Sequence, residues 1–300
     1  MRWMLPLLIS LSALNGFEFD LKPQRLSSEV TCFFGEPEAM NKSNNGNMVN
    51  TCYIDTKKSY VVIDSGPSYL YADAAYQVMQ KIKPLPVELV INTHVHDDHW
   101  LGNGFFVQKR VIVLGSDDFA RHASIDSPTR MQSNISPEAY TLTIPTRPTQ
   151  MINEDKTLTI GDQSIELHLM KKKAHSDKDL VVYLPKIKTL FAGDLVFNDR
   201  VPSLRDGDIN GWTDALDYLQ QLNATTIIGG HGFRTDKDTA KLTHDYLTQM
   251  RTEVREGIVS GIGLDETIKK VQMPQYQSLK MYDSLHRGNV DAAYRMLEWE

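Results

Sequence analysis

Four side chains able to bind a borderline-soft divalent metal fall within six residues: His94, His96, Asp98 and His99 in the run His94-Val95-His96-Asp97-Asp98-His99. Neutral imidazole and carboxylate are natural zinc ligands, with metal–ligand distances of roughly 2.0–2.2 Å. His94 and His96 are two apart, so on an extended turn they can close on one ion. Asp98 and His99 then point the other way and can begin a second site. Polar surface turns also produce such runs, so the remainder of the chain has to decide between a metal site and a decorated loop.

Three further segments end strand-like stretches with metal-competent groups. Ala174-His175-Ser176 follows the strand-like residues 164–170 after a basic link, Lys171-Lys172-Lys173. Phe191-Ala192-Gly193-Asp194 places a carboxylate at a strand tip, where Gly193 permits close approach of backbone or ligand. Gly229-Gly230-His231-Gly232 places a histidine in a glycine-rich turn after another strand. Five of the nine histidines therefore lie at strand ends, where sites gather on α/β scaffolds. His122, His168, His244 and His286 fall inside helical or strand patterns and read as surface or satisfied core residues.

The elements that must carry these groups are legible from periodicity. Residues 30–34, 48–54 and 60–64 read as strands, the last ending at Ser65-Gly66-Pro67, a strand-to-helix corner. Residues 69–82 have helical spacing, with Leu70, Ala74, Ala75, Val78, Met79 and Ile82 on one face. Residues 85–92 form a nearly continuous apolar strand, which suggests burial on both sides, and 111–114 a shorter one. Residues 117–123 look helical, then the pattern becomes loop-like around Ser127-Pro128 and Ser136-Pro137. The second half repeats the plan: strands at 151–160, 164–170, 179–184 and 189–191, with turns at Gly161-Asp162 and Lys186-Ile187-Lys188. A helix at 212–222, a strand at 225–228, a long helix at 236–259 and shorter ones at 264–271 and 290–298 follow. Two β-rich halves flanked by helices predict one domain of two packed sheets with helices outside.

With 300 residues and 41% hydrophobic content the chain can bury a sizeable core. Its formal charge of −6 offers no basic stripe, which argues against nucleic acid as a partner. At the N-terminus a basic start, Met1-Arg2-Trp3-Met4, precedes an apolar run at residues 5–14. That run is too short to span a bilayer, which takes roughly 20 residues, and it fits a secretory signal over residues 1–18. The expectation is a domain over 19–300, periplasmic or secreted, with no stable membrane insertion after signal removal. Cys32 and Cys52 sit in two strand-like stretches; either they clip the base of the loop at 36–50 with a disulfide, or they are two separate buried thiols. Neither neighbours a histidine-rich segment, so neither is counted as a metal ligand.

The order His-x-His-x-Asp-His, then His, then Gly-Asp, then Gly-His-Gly resembles the metallo-β-lactamase superfamily over residues 28–235. The resemblance implies an α/β fold, an αββα four-layer sandwich. It implies that His94, His96 and His175 hold one metal, that Asp98, His99 and His231 hold the other, and that Asp194 bridges both. Two Zn²⁺ are the expected cofactors, with Fe or Mn as substitutes. Asp64 matches a position that orients a ligand histidine from behind. Two metals roughly 3.5–4 Å apart can share one hydroxide and polarise the substrate's oxygen, and Asp98, besides ligating, is a candidate catalytic group that orients the nucleophile and shuttles a proton.

Within that family the β-lactam-cleaving members that use Cys on the second metal place a thiolate where this chain has Asp194, and a Lys three residues later, where it has Phe197. The segments around Phe33-Phe34-Gly35, Asp64-Ser65-Gly66-Pro67 and residues 194–203 look most like exported bacterial zinc hydrolases of the quinoprotein-relay type, a contextual label that fixes no substrate. The expectation is hydrolysis of an ester, thioester, lactone or amide-like bond in a small molecule. β-Lactam hydrolysis is one alternative; an exported metal-binding partner of a periplasmic redox system, without turnover, is another. The loops at 36–50 and 198–208 are expected to line the site.

Overall fold

The computed structural model describes residues 17–300, so the signal expected at 1–18 lies almost entirely outside the described residues. β1 (Pro23–Arg25), β2 (Val30–Phe33), β3 (Thr51–Asp55), β4 (Tyr60–Ile63), β5 (Val87–Ile91), β6 (Ile112–Ser116) and β7 (Gln150–Ile152) form one sheet in that order. Its first four strands are antiparallel neighbours and β4 to β7 run parallel. β8 (Lys156–Ile160), β9 (Gln163–Leu169), β10 (Leu180–Leu184), β11 (Thr189–Phe197) and β12 (Thr226–His231) form the second, in the order β12-β11-β10-β9-β8. Only β11 and β12 are parallel there.

The helices are α1 (Tyr69–Ile82), α2 (Asp97–Trp100), α3 (Asn103–Gln108), α4 (Phe119–His122), α5 (Arg130–Asn134), α6 (Pro137–Tyr140), α7 (Ile209–Gln221), α8 (Lys241–Val259), α9 (Leu264–Lys270) and α10 (Tyr282–Leu297). None of them is long and apolar enough to cross a membrane.

Strand alternation sorts the apolar side chains into layers. Val61 and Ile63 of β4 face an inter-sheet core with Leu89, Ile91, Val182 and Phe191. Tyr60 and Val62 point the other way, to Tyr71, Ala75 and Met79 of α1. On the far side Val181, Tyr183 and Leu190 pack with Trp212, Leu216, Tyr246 and Val290 of α7, α8 and α10. The result is helix, sheet, sheet, helix: the four-layer sandwich expected from the sequence. α1 begins where Ser68 caps Tyr71 N at 3.2 Å, at the expected residue. Its buried face is rotated from the expected one, since Tyr71 and Ala72 are inside and Ile82 is exposed.

Two strand readings need correction. Residues 151–160 are not one strand: the polar break 153–155 separates β7 in the first sheet from β8 in the second. The strand expected at 189–191 continues to Phe197, with register shifts around Gly193. Cys32 and Cys52 are direct partners across β2 and β3, facing the inter-sheet core, and are joined by a disulfide. The loop at 36–50 is therefore closed at its base.

Candidate metal centre

β5 is a buried strand whose exit leads at once into Thr93, His94 and His96, and then into α2 with Asp98 and His99. His175 lies between β9 and β10, Asp194 inside β11, and His231 is the last residue of β12. Leu180 N donates to Thr93 O at 2.8 Å, tying the second sheet to the first beside the site. Sequence positions up to 137 residues apart, His94 to His231, converge here.

The seven side chains form two adjacent groups. In the first, His94 Nε2 is 3.1 Å from His96 Nδ1, and His175 Nε2 is 2.8 Å from the same atom. Asp194 Oδ2 lies 3.7 Å from His94 Nε2 and 3.3 Å from His175 Nε2. In the second, His99 Nε2 is 3.6 Å from Asp98 Oδ2 and 3.2 Å from Asp194 Oδ1. His231 Nε2 is 3.5 Å from Asp98 Oδ2 and 3.2 Å from Asp194 Oδ2. Four donors set tetrahedrally at zinc bond lengths are separated by roughly 3.4 Å. The spacing therefore fits one ion in each group, and Asp194 belongs to both.

Independent support comes from unpartnered atoms. His99 Nε2 and Asp194 Oδ1 are buried and face each other at 3.2 Å, yet neither makes a well-aligned hydrogen bond among the described residues. Buried polar atoms are almost always satisfied, and a cation between these two satisfies both.

Electrostatics agree. Burial pushes His94 well below the usual imidazole range, and His96 down to about 4. Both rings are therefore neutral at pH 7 and carry a free lone pair, the form that ligates a metal. Burial alone would also depress His99, but Asp194, Asp98 and Asp64 hold it well above its ordinary value. A cation held by the second group would take the place of that proton. Asp194 and Asp98 are held well below the carboxylate range against the opposing effect of burial: Asp194 chiefly by His231 and His99, Asp98 chiefly by His99 and Arg130.

The ring nitrogens that face away from the groups are held from behind, which fixes each ring. Thr93 Oγ1 takes His94 Nδ1 at 3.1 Å, and Asp206 Oδ2 takes His96 Nε2 at 3.1 Å. Asp64 Oδ2 takes His99 Nδ1 at 2.7 Å, the orienting role expected of that residue. Met48 O takes His231 Nδ1 at 2.6 Å. His175 instead packs between Trp212, at 4.8 Å, and Phe197, at 5.6 Å. Phe197 also stacks on His231 with ring centroids 5.0 Å apart and planes 12° apart. Two glycines make the close packing feasible. Gly193 has φ +51° and a Cβ there would lie 2.7 Å from Thr93; a Cβ at Gly230 would lie 1.9 Å from Asp194 Oδ1.

Several contributors carry no local signal in the sequence. Arg130 of α5 donates to Asp98 Oδ1 at 2.9 Å and to Asp97 Oδ1 at 2.8 Å. Asn50 donates through its backbone to Gly230 O at 2.8 Å, and through Nδ2 to Gly229 O at 2.9 Å and Gly232 O at 2.8 Å. The polar cluster Asn44-Asn45-Gly46 is buried and tied down, with Asn45 Oδ1 accepting from Ser136 N at 3.0 Å. The four remaining histidines are partnered elsewhere: His122 by Asp118, His168 by Tyr218, His244 by Asp217 and His286 by Tyr246.

A family model described as the metallo-beta-lactamase superfamily matches residues 44–231. Metallo-beta-lactamase type 2 of Elizabethkingia meningoseptica is 24% identical over 262 residues, 83% of this chain and 95% of that protein. Metallo-beta-lactamase IND-1 of Chryseobacterium indologenes is 24% identical over 187 residues, 61% of this chain and 71% of that protein. Among solved structures, a metallo-beta-lactamase from Pontibacter korlensis superposes with a TM-score of 0.62 at 24% identity, over 76% of this chain and 99% of that one. The FIM-1 metallo-beta-lactamase of Pseudomonas aeruginosa, in its mono-zinc form, gives 0.60 at 17% identity over 77% and 96%.

Proposed function

The chain belongs to the metallo-β-lactamase superfamily of metal-dependent hydrolases, and from that premise we propose that it is a dinuclear zinc hydrolase of an ester, thioester, lactone or amide-like bond in a small molecule. The observation that carries this reading is the pair of adjacent donor groups with Asp194 between them, 3.3 Å from His175 and 3.2 Å from His99 and His231. His94, His96 and His175 would hold one ion, Asp98, His99 and His231 the other. When bound, two such ions supply an activated water and an electrophile for the scissile carbonyl.

The chain's own residues do the rest. Asp64, Thr93, Asp206 and the Met48 carbonyl hold four ligand rings in place, so little reorganisation is needed as charge develops. Asp98 is the candidate proton carrier toward the leaving group through Oδ1, the oxygen that faces away from the donor group. Because Arg130 donates to that oxygen, Asp98 is a weak base, and it carries the proton on the lone pair of Oδ1 that Arg130 leaves free.

One observation favours β-lactam hydrolysis as the second reading. Arg200 is buried, lies 5.5 Å over the Phe197 ring, and among the described residues its side chain makes one hydrogen bond, to Glu38 O at 3.3 Å. It forms no ion pair with a carboxylate among the described residues, and its Nε is unpartnered. A substrate anion such as a carboxylate would complete it, which offsets the replacement of Lys by Phe at position 197. The disulfide and the N-terminal apolar run support export to an oxidising compartment. The test is turnover of an aryl ester, a thioester, a lactone and a cephalosporin by zinc-loaded protein and by its His96→Ala variant. Zinc-dependent hydrolysis of any of the first three supports the proposal; cephalosporin cleavage alone favours the second reading. No turnover of any of them overturns both.

A further inference from the structure

The two donor groups are fastened to the protein in different ways. His94, His96 and His175 are held by Thr93, Asp206 and the rings of Trp212 and Phe197. In the second group His99 is hydrogen-bonded by Asp64 at the end of β4, and the His231 ring stacks on Phe197 of β11. Asp98 is held by Arg130, the first residue of α5, and His231 by Met48 of the disulfide-closed loop. These two pieces also lock onto each other. Ser136 N donates to Asn45 Oδ1 at 3.0 Å, and the backbone of Gly46 meets Met131 so closely that a Cβ there would lie 2.7 Å from Sδ.

Arg130 is set up to act on one oxygen. Thr129 caps α5 by accepting from Gln132 N at 3.0 Å, which fixes the backbone at Arg130. Asp97 takes Arg130 Nε with Oδ1 and Met131 N with Oδ2, the latter at 3.1 Å. Asp97 shares the guanidinium charge, so the bond to Asp98 offsets only part of the charge Asp98 offers a cation. What it contributes is orientation: with Oδ1 engaged, Oδ2 faces His99 and His231.

We infer that Arg130 is a positioning residue for the second metal position alone, and that filling this position fastens the segments 36–50 and 124–140 together while filling the first does not. The inference rests on the two-ion reading of the site. It also carries the reciprocal required by linkage: whatever loosens either segment weakens the second ion, and the second ion stabilises both segments.

The experiment is zinc titration of metal-stripped protein against a chromogenic chelator, with hydrogen exchange followed after each equivalent. In the wild-type chain, exchange across 36–50 and 124–140 should slow with one equivalent and not with the other. Arg130→Ala should weaken that same equivalent by about ten- to a hundredfold and leave the other within about twofold. Arg130→Lys, which keeps one donor toward Asp98, should recover part of the loss, separating orientation from a folding defect. Equal weakening of both equivalents, no weakening of either, or protection of the two segments by both equivalents alike would overturn the inference with the two-ion reading intact. Binding of fewer than two ions by the wild-type chain would overturn that reading, and this inference with it.

Discussion

His99 Nδ1 and Asp64 Oδ2 are 2.7 Å apart, and the same carboxylate accepts from Thr93 N and Thr93 Oγ1, both at 2.8 Å. Asp64 achieves this from a left-handed backbone, φ 55°, just past the end of β4. Such a conformation costs a non-glycine residue of order 1 kcal/mol, and Asp is among the residues that adopt it most readily. One strained residue thereby sets a ring in the second donor group and the turn that begins the first.

Replacing Asp64 by Ala should strand three buried donors, each costing about 1–3 kcal/mol. The expected outcome is a clear fall in thermal stability together with a ten- to hundredfold loss, approximately, in zinc affinity that is larger at the second position. Calorimetric melting and zinc content after dialysis measure the two effects. Wild-type zinc content in a folded Asp64→Ala protein would refute the orienting role.

Asp194 and His96 should behave differently on removal. Asp194 faces both groups, within 3.3 Å of His175 and 3.2 Å of His99 and His231. Asp194→Ala should lower retention of both ions together; His96→Ala should empty the first position and abolish zinc-dependent turnover. Metal content by mass spectrometry separates the cases, and loss of a single ion from Asp194→Ala would contradict a bridging carboxylate.

Asn50 satisfies three carbonyls around the turn that carries His231, and its Oδ1 accepts from Gly35 N at 3.2 Å. Asn50→Ala removes the side-chain bonds and leaves the Gly229 and Gly232 carbonyls without that donor. A destabilisation of about 2–4 kcal/mol is expected, with weaker zinc retention at the second position. Denaturant titration of the metal-free and zinc-loaded forms should show a larger difference in the latter.

The disulfide between Cys32 and Cys52 closes a loop with a sequence separation of 20. A loop of that size is worth about 3 kcal/mol through the unfolded chain. A Cys32→Ala/Cys52→Ala protein should therefore melt several degrees lower (about 2–4 °C per kcal/mol for a large domain), and the second zinc ion should dissociate before the first. An unchanged melting temperature would mean that the loop at 36–50 is held by its packing alone.

What could be read in the sequence follows physical lines. The ligands stand in fixed short spacings at the ends of strands, so residue type and position report them directly. α1 was legible because its apolar residues recur at helical spacing and Ser68 marks its start. The partners behind the ligands left no such trace. Met48 contributes a carbonyl, which every residue has; Arg130 comes from a short helix 32 residues beyond Asp98, in a stretch whose Ser-Pro pairs look like loop.

The first half of α10 was hidden for another reason. Only its end, around 290–298, shows an apolar pattern, because the earlier turns bury polar groups instead. His286 meets Tyr246 and the Val271 carbonyl, while Asn289 bonds Pro202 O and Leu204 N. Satisfied polar burial of this kind depends on residues far away in the chain. The crossing between sheets at 153–155 was hidden likewise: β7 and β8 together read as one run, and only the fold shows that each edge belongs to a different layer.

Anomalous diffraction at the zinc edge from zinc-loaded crystals tests the central claim most directly. Two peaks roughly 3.5–4 Å apart should appear, one beside His94 Nε2, His96 Nδ1 and His175 Nε2, the other beside Asp98 Oδ2, His99 Nε2 and His231 Nε2, with Asp194 between them. A single peak at saturating zinc, or peaks away from these atoms, would contradict a two-ion centre.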